Sequence, residues 1–251
     1  MMKLLRMIVI APVLAFVGCT GITVPKAAFD GSIENSKARM IPTEIPMPVT
    51  TIQIYDAKQK KRVEEDVLSL KPAVIRSRLT STETLISVEK RDTSGSFTYL
   101  GSGGKVAKGS YKVTFDYANY TNHNIMFNDN KQAIGRIGVG LRITALLETT
   151  ENGVDLSGLI PIGLAAQDRK ISGQLSFLVY GMSNDKVSLA VPSQAILDVS
   201  AIQKSFEAAA TVRILFGLED TYLEPYLIGV ADIAPADAKR AIEAATQQLV
   251  K

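Results

Sequence analysis

Alternation of apolar and polar residues dominates the chain after residue 50 and predicts β-strands. Residues 110–117 place aromatic and β-branched side chains on one face and polar side chains on the other, a pattern typical of a half-buried strand. Residues 133–147 alternate in the same way, with Gly138 and Gly140 on one face. Because glycines leave the backbone uncovered, we expect another part of the chain to approach closely there.

Shorter alternating runs separated by turn-forming residues extend this pattern over most of the chain. They cover residues 50–54, 74–79, 85–90, 174–181 and 187–191. Tyr222–Val230 is a further strand candidate, and Pro225 within it suggests an edge strand. For Leu156–Ala166 the apolar sequence leaves a short helix and a buried loop both open.

Helical periodicity is strongest near the C-terminus. Ser200 and Gln203 have the spacing of a capping box, which predicts a helix beginning there. A second helix is predicted from about Pro235, with an apolar stripe formed by Ala238, Ala241, Ile242, Ala245 and Leu249. The predicted fold class is therefore α+β, a mainly antiparallel β-sheet with two amphipathic helices near the C-terminus.

The N-terminus has the layout of an export signal. Lys3 and Arg6 form a short basic start, Met7–Val17 is apolar, and Gly18 and Cys19 follow. The apolar run is shorter than the roughly 20 residues that a membrane-spanning helix needs. A basic start, a short apolar run and a small residue before the cleavage position are typical of a cleaved signal.

Val17-Gly18-Cys19 resembles the lipobox of bacterial lipoproteins. The resemblance implies that a diacylglyceryl group joins the Cys19 sulfur, that residues 1–18 are removed, and that the new amine is acylated. Anchoring by two or three chains is stable, whereas one chain binds marginally. Thr20 stands where an aspartate often retains such proteins at the inner membrane, so the expected location is the outer membrane, facing the periplasm. The inner membrane and the cell surface remain alternatives.

Prolines are concentrated between the signal and the first alternating run. Pro25, Pro42, Pro46 and Pro48 disfavour regular structure there. The expected organisation is a signal peptide at 1–18, a lipid anchor and proline-containing tether at 19–50, and a single β-rich globular domain with C-terminal helices at 51–251.

Charge and composition narrow the function classes. Removing Lys3 and Arg6 from the 28 basic residues leaves 26 against 25 acidic residues, a net charge of +1. We therefore expect no nucleic-acid partner, because such partners need a clearly basic face. A local basic run at 58–62 is followed at once by acidic residues, which is typical of a solvated surface hairpin.

The chain holds few residues for catalysis or metal binding. His123 is its one histidine and Cys19 its one cysteine, and the cysteine is assigned to lipid. Zinc sites need several such ligands, and no motif of a serine, cysteine or nucleotide-dependent enzyme has the required context. We expect no catalytic residue, no metal site and no cofactor.

Aromatic and asparagine residues cluster between Phe97 and Asn130. The candidate ligand-binding residues within this cluster are Tyr117, Tyr120, Asn122, His123 and Asn124. Aromatic faces and amides can bind sugar rings by stacking and hydrogen bonding. A strand that buries its aromatic face is the simpler interpretation.

The sequence thus predicts a lipid-anchored envelope protein that acts by non-catalytic contacts with an envelope protein partner, as an accessory or assembly subunit. A glycan- or peptidoglycan-binding module using the aromatic and asparagine cluster is the alternative. A hydrolase with a carboxylate site is less favoured, as is insertion of residues 133–182 into a membrane as β-hairpins.

Overall fold

A computed structural model describes residues 40–56, 58–128, 131–186 and 191–250. The signal, Cys19, the first part of the predicted tether and residues 187–190 of a predicted strand lie outside these ranges. The strands are β1 (Met40–Pro48), β2 (Thr51–Asp56), β3 (Lys61–Asp66), β4 (Ser81–Arg91), β5 (Phe97–Gly101), β6 (Lys105–Val106), β7 (Gly109–Phe127), β8 (Lys131–Thr149), β9 (Val154–Asp155), β10 (Ile171–Tyr180), β11 (Met182–Ser183), β12 (Gln194–Ile196), β13 (Tyr222–Leu223) and β14 (Tyr226–Ala231). The helices are α1 (Pro72–Arg78), α2 (Leu159–Gln167), α3 (Val199–Gly217) and α4 (Ala238–Leu249), with 3-10 turns at Val67–Ser69 and Pro235–Asp237.

The long hairpin of β7 and β8 is the centre of an eight-stranded sheet. The two strands pair antiparallel along their whole lengths, from Gly109 opposite Thr149 to Phe127 opposite Lys131. On the far side of β7 the sheet continues through β4 to β5. The α+β class and the mainly antiparallel sheet are confirmed.

The other edge of β8 is shared by two strands placed end to end. β10 pairs with residues 140–149 and carries β12 on its outer side. β14 pairs with residues 134–138 and carries β1. The Tyr99 hydroxyl of β5 donates a hydrogen bond to the Met40 carbonyl of β1 at 3.3 Å. This contact shows that the sheet curls. The outermost strands of the path from β1 to β5 thereby meet.

The margins of this sheet differ from the sequence-based expectation in two places. Met40–Pro48, assigned to the tether, is a strand paired with β14. The prolines of β1 are tolerated because β1 is the outer strand of the β1–β14 pair, where a missing backbone N–H costs least. The strand register also shifts between Pro42 and Met47. The predicted edge strand at Tyr222–Val230 is accordingly covered: its β14 portion lies between β1 and β8.

Residues 74–78 lie in helix α1 and Leu79 caps its C-terminus, contrary to the strand predicted at 74–79. Pro72 lies in the first turn of α1, where its missing N–H is harmless. Ile75 and Leu79, one turn apart, are both buried. Arg76 donates to the carbonyls of Phe216 at 2.6 Å and Leu218 at 2.5 Å, which fastens α1 to the end of α3.

The helices cover one face of the sheet in two groups. The first core packs α2 and α3 on β7, β8 and β10, with Phe115, Leu141 and Ile143 at its centre. The second packs α4 and the β2–β3 hairpin on the turn end of the β7–β8 hairpin. For Leu156–Ala166 the helix alternative is correct, and Asp198 rather than Ser200 caps α3 by accepting the Ala201 N–H at 2.7 Å.

Candidate functional site

The five residues of the predicted ligand cluster lie on one strand but do not share one face. In β7 successive side chains point to opposite faces. Tyr117 and His123 point toward the helix-covered face, and Tyr120, Asn122 and Asn124 toward the other. The strand therefore separates the residues of the predicted ligand cluster.

Tyr120 is engaged inside the fold. It is 4% exposed, and its hydroxyl donates to Glu83 Oε2 at 2.8 Å and accepts from Arg136 Nη1 at 3.2 Å. The Arg136 guanidinium covers the ring at 4.8 Å from its centroid. Burial raises the pKa of Tyr120 to about 12. With its ring face occupied by a guanidinium, Tyr120 is poorly placed to stack on a sugar.

Tyr117 is partly buried, and burial raises its pKa above the ordinary value while the Thr84 hydroxyl opposes the rise. Asn122 is exposed. Asn124 holds the β2–β3 hairpin, because its Oδ1 accepts from Arg62 Nη1 at 2.8 Å and its N–H donates to Gln53 Oε1 at 3.1 Å. These contacts give Asn124 a structural role.

His123 lies between the sheet and the same hairpin. It is 2% exposed, and its Nδ1 has no hydrogen-bond partner among the described residues. Its Nε2 is 3.7 Å from Glu64 Oε1. Burial lowers the pKa of His123, with Glu64 opposing the shift. A buried neutral imidazole is what this environment favours.

A buried ion pair on the opposite face was not predicted. Asp116 of β7 and Arg142 of β8 are cross-strand partners, and they form a bidentate pair through Nε–Oδ1 at 2.9 Å and Nη2–Oδ2 at 2.8 Å. Arg142 also donates to the carbonyls of Thr43 at 2.6 Å and Ile228 at 2.8 Å. One guanidinium thus connects β7, β8, β1 and β14.

The sequence carried a signal for this pair. Asp116 and Arg142 are equally distant from residue 129, so a hairpin centred there places them opposite each other. Both lie among the polar positions of the alternating runs at 110–117 and 133–147. The alternating pattern does not show that the sheet curls and that β1 crosses this face. These two features bury both side chains.

Burial of the ion pair shifts the pKa values of Asp116 and of the neighbouring Tyr180. Desolvation raises the pKa of Asp116, and the Arg142 charge opposes the rise. The Tyr180 hydroxyl faces the Asp116 carboxylate without reaching hydrogen-bond geometry. Burial and that carboxylate raise the pKa of Tyr180 well above its ordinary value. The bidentate pairing holds the two strands of the central hairpin together.

The two glycines on this face are required by close backbone contacts. A Cβ at Gly140 would lie 2.0 Å from the Tyr117 carbonyl oxygen, and one at Gly138 would lie 2.5 Å from that of Asn119. Tyr180 is the cross-strand partner of Gly140. The expected close approach is therefore made by the neighbouring strand itself.

Beyond the ion pair, this face ends in an exposed apolar margin, which we define as Leu146, Leu178 and Ile196. They are 44%, 44% and 82% exposed. Leu146 and Ile196 flank Gln174 in one cross-strand row, and Leu178 pairs with Arg142. Within the described residues β12 pairs with β10 alone, so its outer edge completes this margin.

Within the described ranges, no group of three or more His, Cys, Asp or Glu side chains is arranged to hold a metal ion. None of the described helices combines the length and apolar character needed to cross a bilayer. Comparisons of the chain with family models, with curated proteins and with solved structures find no match.

Proposed function

We propose that the protein is a lipid-anchored bacterial envelope protein that acts by non-catalytic contacts, as an accessory or assembly subunit. Support for the anchor comes from Cys19, which follows a basic start and a short apolar run. The proposed location is the outer membrane, facing the periplasm, with the inner membrane and the cell surface as the alternatives.

The observation that carries the protein-contact role is the exposed apolar margin. Proteins usually protect open strand edges with charges, prolines or bulges. β12 instead presents Ile196, the most exposed large apolar side chain described, at 82%. Leu178 and Leu146 extend the apolar surface inward from that edge. Exposed apolar residues beside an open edge are typical of a protein-binding site.

An extended segment of a partner protein is the occupant that fits this margin. Its backbone would pair with the outer edge of β12, and apolar side chains on alternate positions would cover Leu146, Leu178 and Ile196. The edge strand predicted at Tyr222–Val230 cannot offer such pairing, because β1 covers its β14 portion. We also propose that α3 and α4 are amphipathic covers that leave this margin open.

The alternative, glycan binding, has less support. It needs Tyr117 and Tyr120 with Asn122 and Asn124 around one ligand, and these residues divide between two faces of β7. Hydrolysis has no observation in its favour among the described residues. Insertion of β8 and β10 into lipid is disfavoured because Arg136 and Arg142 are buried in protein contacts.

Site-specific photo-crosslinking in intact cells tests the proposal. A crosslinking residue at position 196 is expected to capture a partner protein. With the crosslinking residue moved to position 178 of the same margin, Ile196→Lys is expected to abolish this recovery, since it places a charge in the apolar contact. The matched control is Ile214→Lys on α3, where the side chain is 65% exposed. Recovery of the monomer alone from position 196, or equal loss in both variants, would overturn the proposal.

A further inference from the structure

The turn between β2 and β3 concentrates positive charge. We call residues 58–62 the basic turn: four of its five residues, Lys58, Lys60, Lys61 and Arg62, are cationic. All four are exposed. Lys60 adopts a φ of 51°, the left-handed conformation that closes a tight turn.

The acidic residues that follow the basic turn are engaged elsewhere. Glu65 pairs with Arg78 at 3.2 Å. Asp66 accepts the Leu68 N–H at 3.0 Å, which caps the following 3-10 turn. Glu64 faces His123 at 3.7 Å. Glu65 and Asp66 thus have partners outside the basic turn, and Glu64 lies beside His123 with 59% of its side chain exposed. The turn itself, residues 58–62, carries four cations and no acid.

The register of the sheet places the basic turn at the end where the chain enters the described structure. Arg62 is bound to Asn124, and Asn124 pairs with Ile134. Ile134 pairs with Ala231, which pairs with Met40. Three strand spacings of about 4.8 Å therefore separate Asn124 from Met40, roughly 14 Å. Met40 is the first described residue after Cys19.

The apolar margin lies toward the other end of the sheet. Leu146 follows Ile134 by twelve positions on β8, a rise of about 40 Å. The charges at that end are mixed, since Lys170 is paired with Glu151 at 4.0 Å and with Asp168 at 3.9 Å. The two ends of β8 therefore differ in charge character and in apolar exposure.

We propose that the basic turn contacts anionic phospholipid headgroups of the membrane. The inference rests on the proposed lipid anchor, because only an anchored chain brings this end of the sheet to a bilayer. Residues 19–40 span at most about 70 Å when extended, so the domain can reach the surface. Clustered Lys and Arg side chains bind anionic lipid by charge complementarity, and an acyl anchor with a basic patch holds better than one signal alone.

In this orientation the end of the sheet that contains Asn124 and Met40 faces the bilayer. The apolar margin then projects away from the membrane, toward a partner in the adjoining compartment. Lipid contact by the basic turn and protein contact by β12 are consequently compatible in one molecule.

Vesicle binding by the anchor-free domain tests the inference. The described residues from Met40 onward belong to one compact unit that contains all the described cores, so the chain from Ser32 onward can be made without the signal and Cys19. We expect this domain to sediment with vesicles of phosphatidylcholine and phosphatidylglycerol, and to stay in solution with phosphatidylcholine alone. Added salt is expected to weaken the binding, because exposed charges are screened.

Charge reversal identifies the surface responsible. The variant Lys58→Glu, Lys60→Glu, Lys61→Glu is expected to lower the affinity for anionic vesicles at least tenfold, a conservative value for three reversed charges. The control Lys105→Glu, Lys108→Glu, Arg169→Glu reverses three exposed residues at the other end of the sheet. It changes the net charge equally and is expected to lower affinity by less than about threefold.

Equal losses in the two variants, or no binding of anionic vesicles by the unmodified domain, would overturn the inference. Capture of an acidic protein by the basic turn without any lipid binding would overturn it too. Failure of this inference can be distinguished from failure of the proposed lipid anchor. The full-length Lys58→Glu, Lys60→Glu, Lys61→Glu chain is expected to remain membrane-bound through Cys19, whereas failure of the anchor itself would appear as an unmodified Cys19.

Discussion

Arg142 and Asp116 face each other across the central hairpin, and the guanidinium that pairs with the carboxylate also donates to a carbonyl on β1 and to one on β14. The pair is almost completely shielded from water, with the side chains of Arg142 and Asp116 4% and 0% exposed. It therefore connects the central hairpin to the strand that follows the N-terminal segment.

Replacement of Arg142 by Met is expected to destabilise the domain by about 3–5 kcal/mol, because it leaves the Asp116 carboxylate buried and unpaired. Urea unfolding of Arg142→Met, Asp116→Leu and the double variant measures this. The double variant is expected to lose less than the sum of the two single losses, since it leaves no buried charge. Additive losses would contradict the assigned pairing.

Substitution of Gly140 by Ala is expected to destabilise the domain by at least about 2 kcal/mol, because the new methyl group would overlap the Tyr117 carbonyl oxygen. Gly217→Ala is the matched control. Nothing lies within 4 Å of its added Cβ, and we expect a change within about 1 kcal/mol. Thermal melts of both proteins give the comparison, and equal behaviour would rule out a close strand contact at Gly140.

Acidification is expected to destabilise the domain through His123. In the unfolded chain its pKa is near 6.5, and burial lowers it in the folded chain. Between these two values the unfolded state binds more protons, so the contribution is complete above pH 6.5 and is lost as the pH falls through the folded pKa.

The measurement for His123 is the melting temperature between about pH 7.5 and pH 5. His123→Leu removes the titrating group, so its melting temperature is expected to fall less over this interval than that of the unmodified protein. Parallel pH profiles of the two proteins would show that His123 is not the titrating group.

Local sequence patterns predicted the centre of the fold better than its margins. The alternation at 110–117 and 133–147 lies within β7 and β8, because both strands bury one continuous apolar face. The segment 74–79 was misassigned because in so short a stretch a spacing of two and a spacing of one helical turn both fit Ile75 and Leu79. Strand β1 was missed because its prolines disfavour a strand when only the local sequence is considered. Its pairing with β14 connects residues far apart in sequence.

The candidate sites depend even more on long-range contacts. Asp116 and Arg142 are visible as polar residues in alternating strands, but only the curled sheet shows that they are buried. The apolar margin needs the edge position of β12, which no local pattern encodes. Conversely, Tyr117, Tyr120 and Asn122 are close in sequence, yet alternation along β7 divides them between two faces.

Mass spectrometry of the mature N-terminus, combined with membrane fractionation, tests the lipid anchor most directly. We expect a chain that begins at Cys19, carries a thioether-linked diacylglyceryl group and sediments with the membranes, and we expect Cys19→Ser to abolish the modification and release the protein. A mature chain with an unmodified Cys19, or a Cys19→Ser protein processed and membrane-bound as before, would contradict the account.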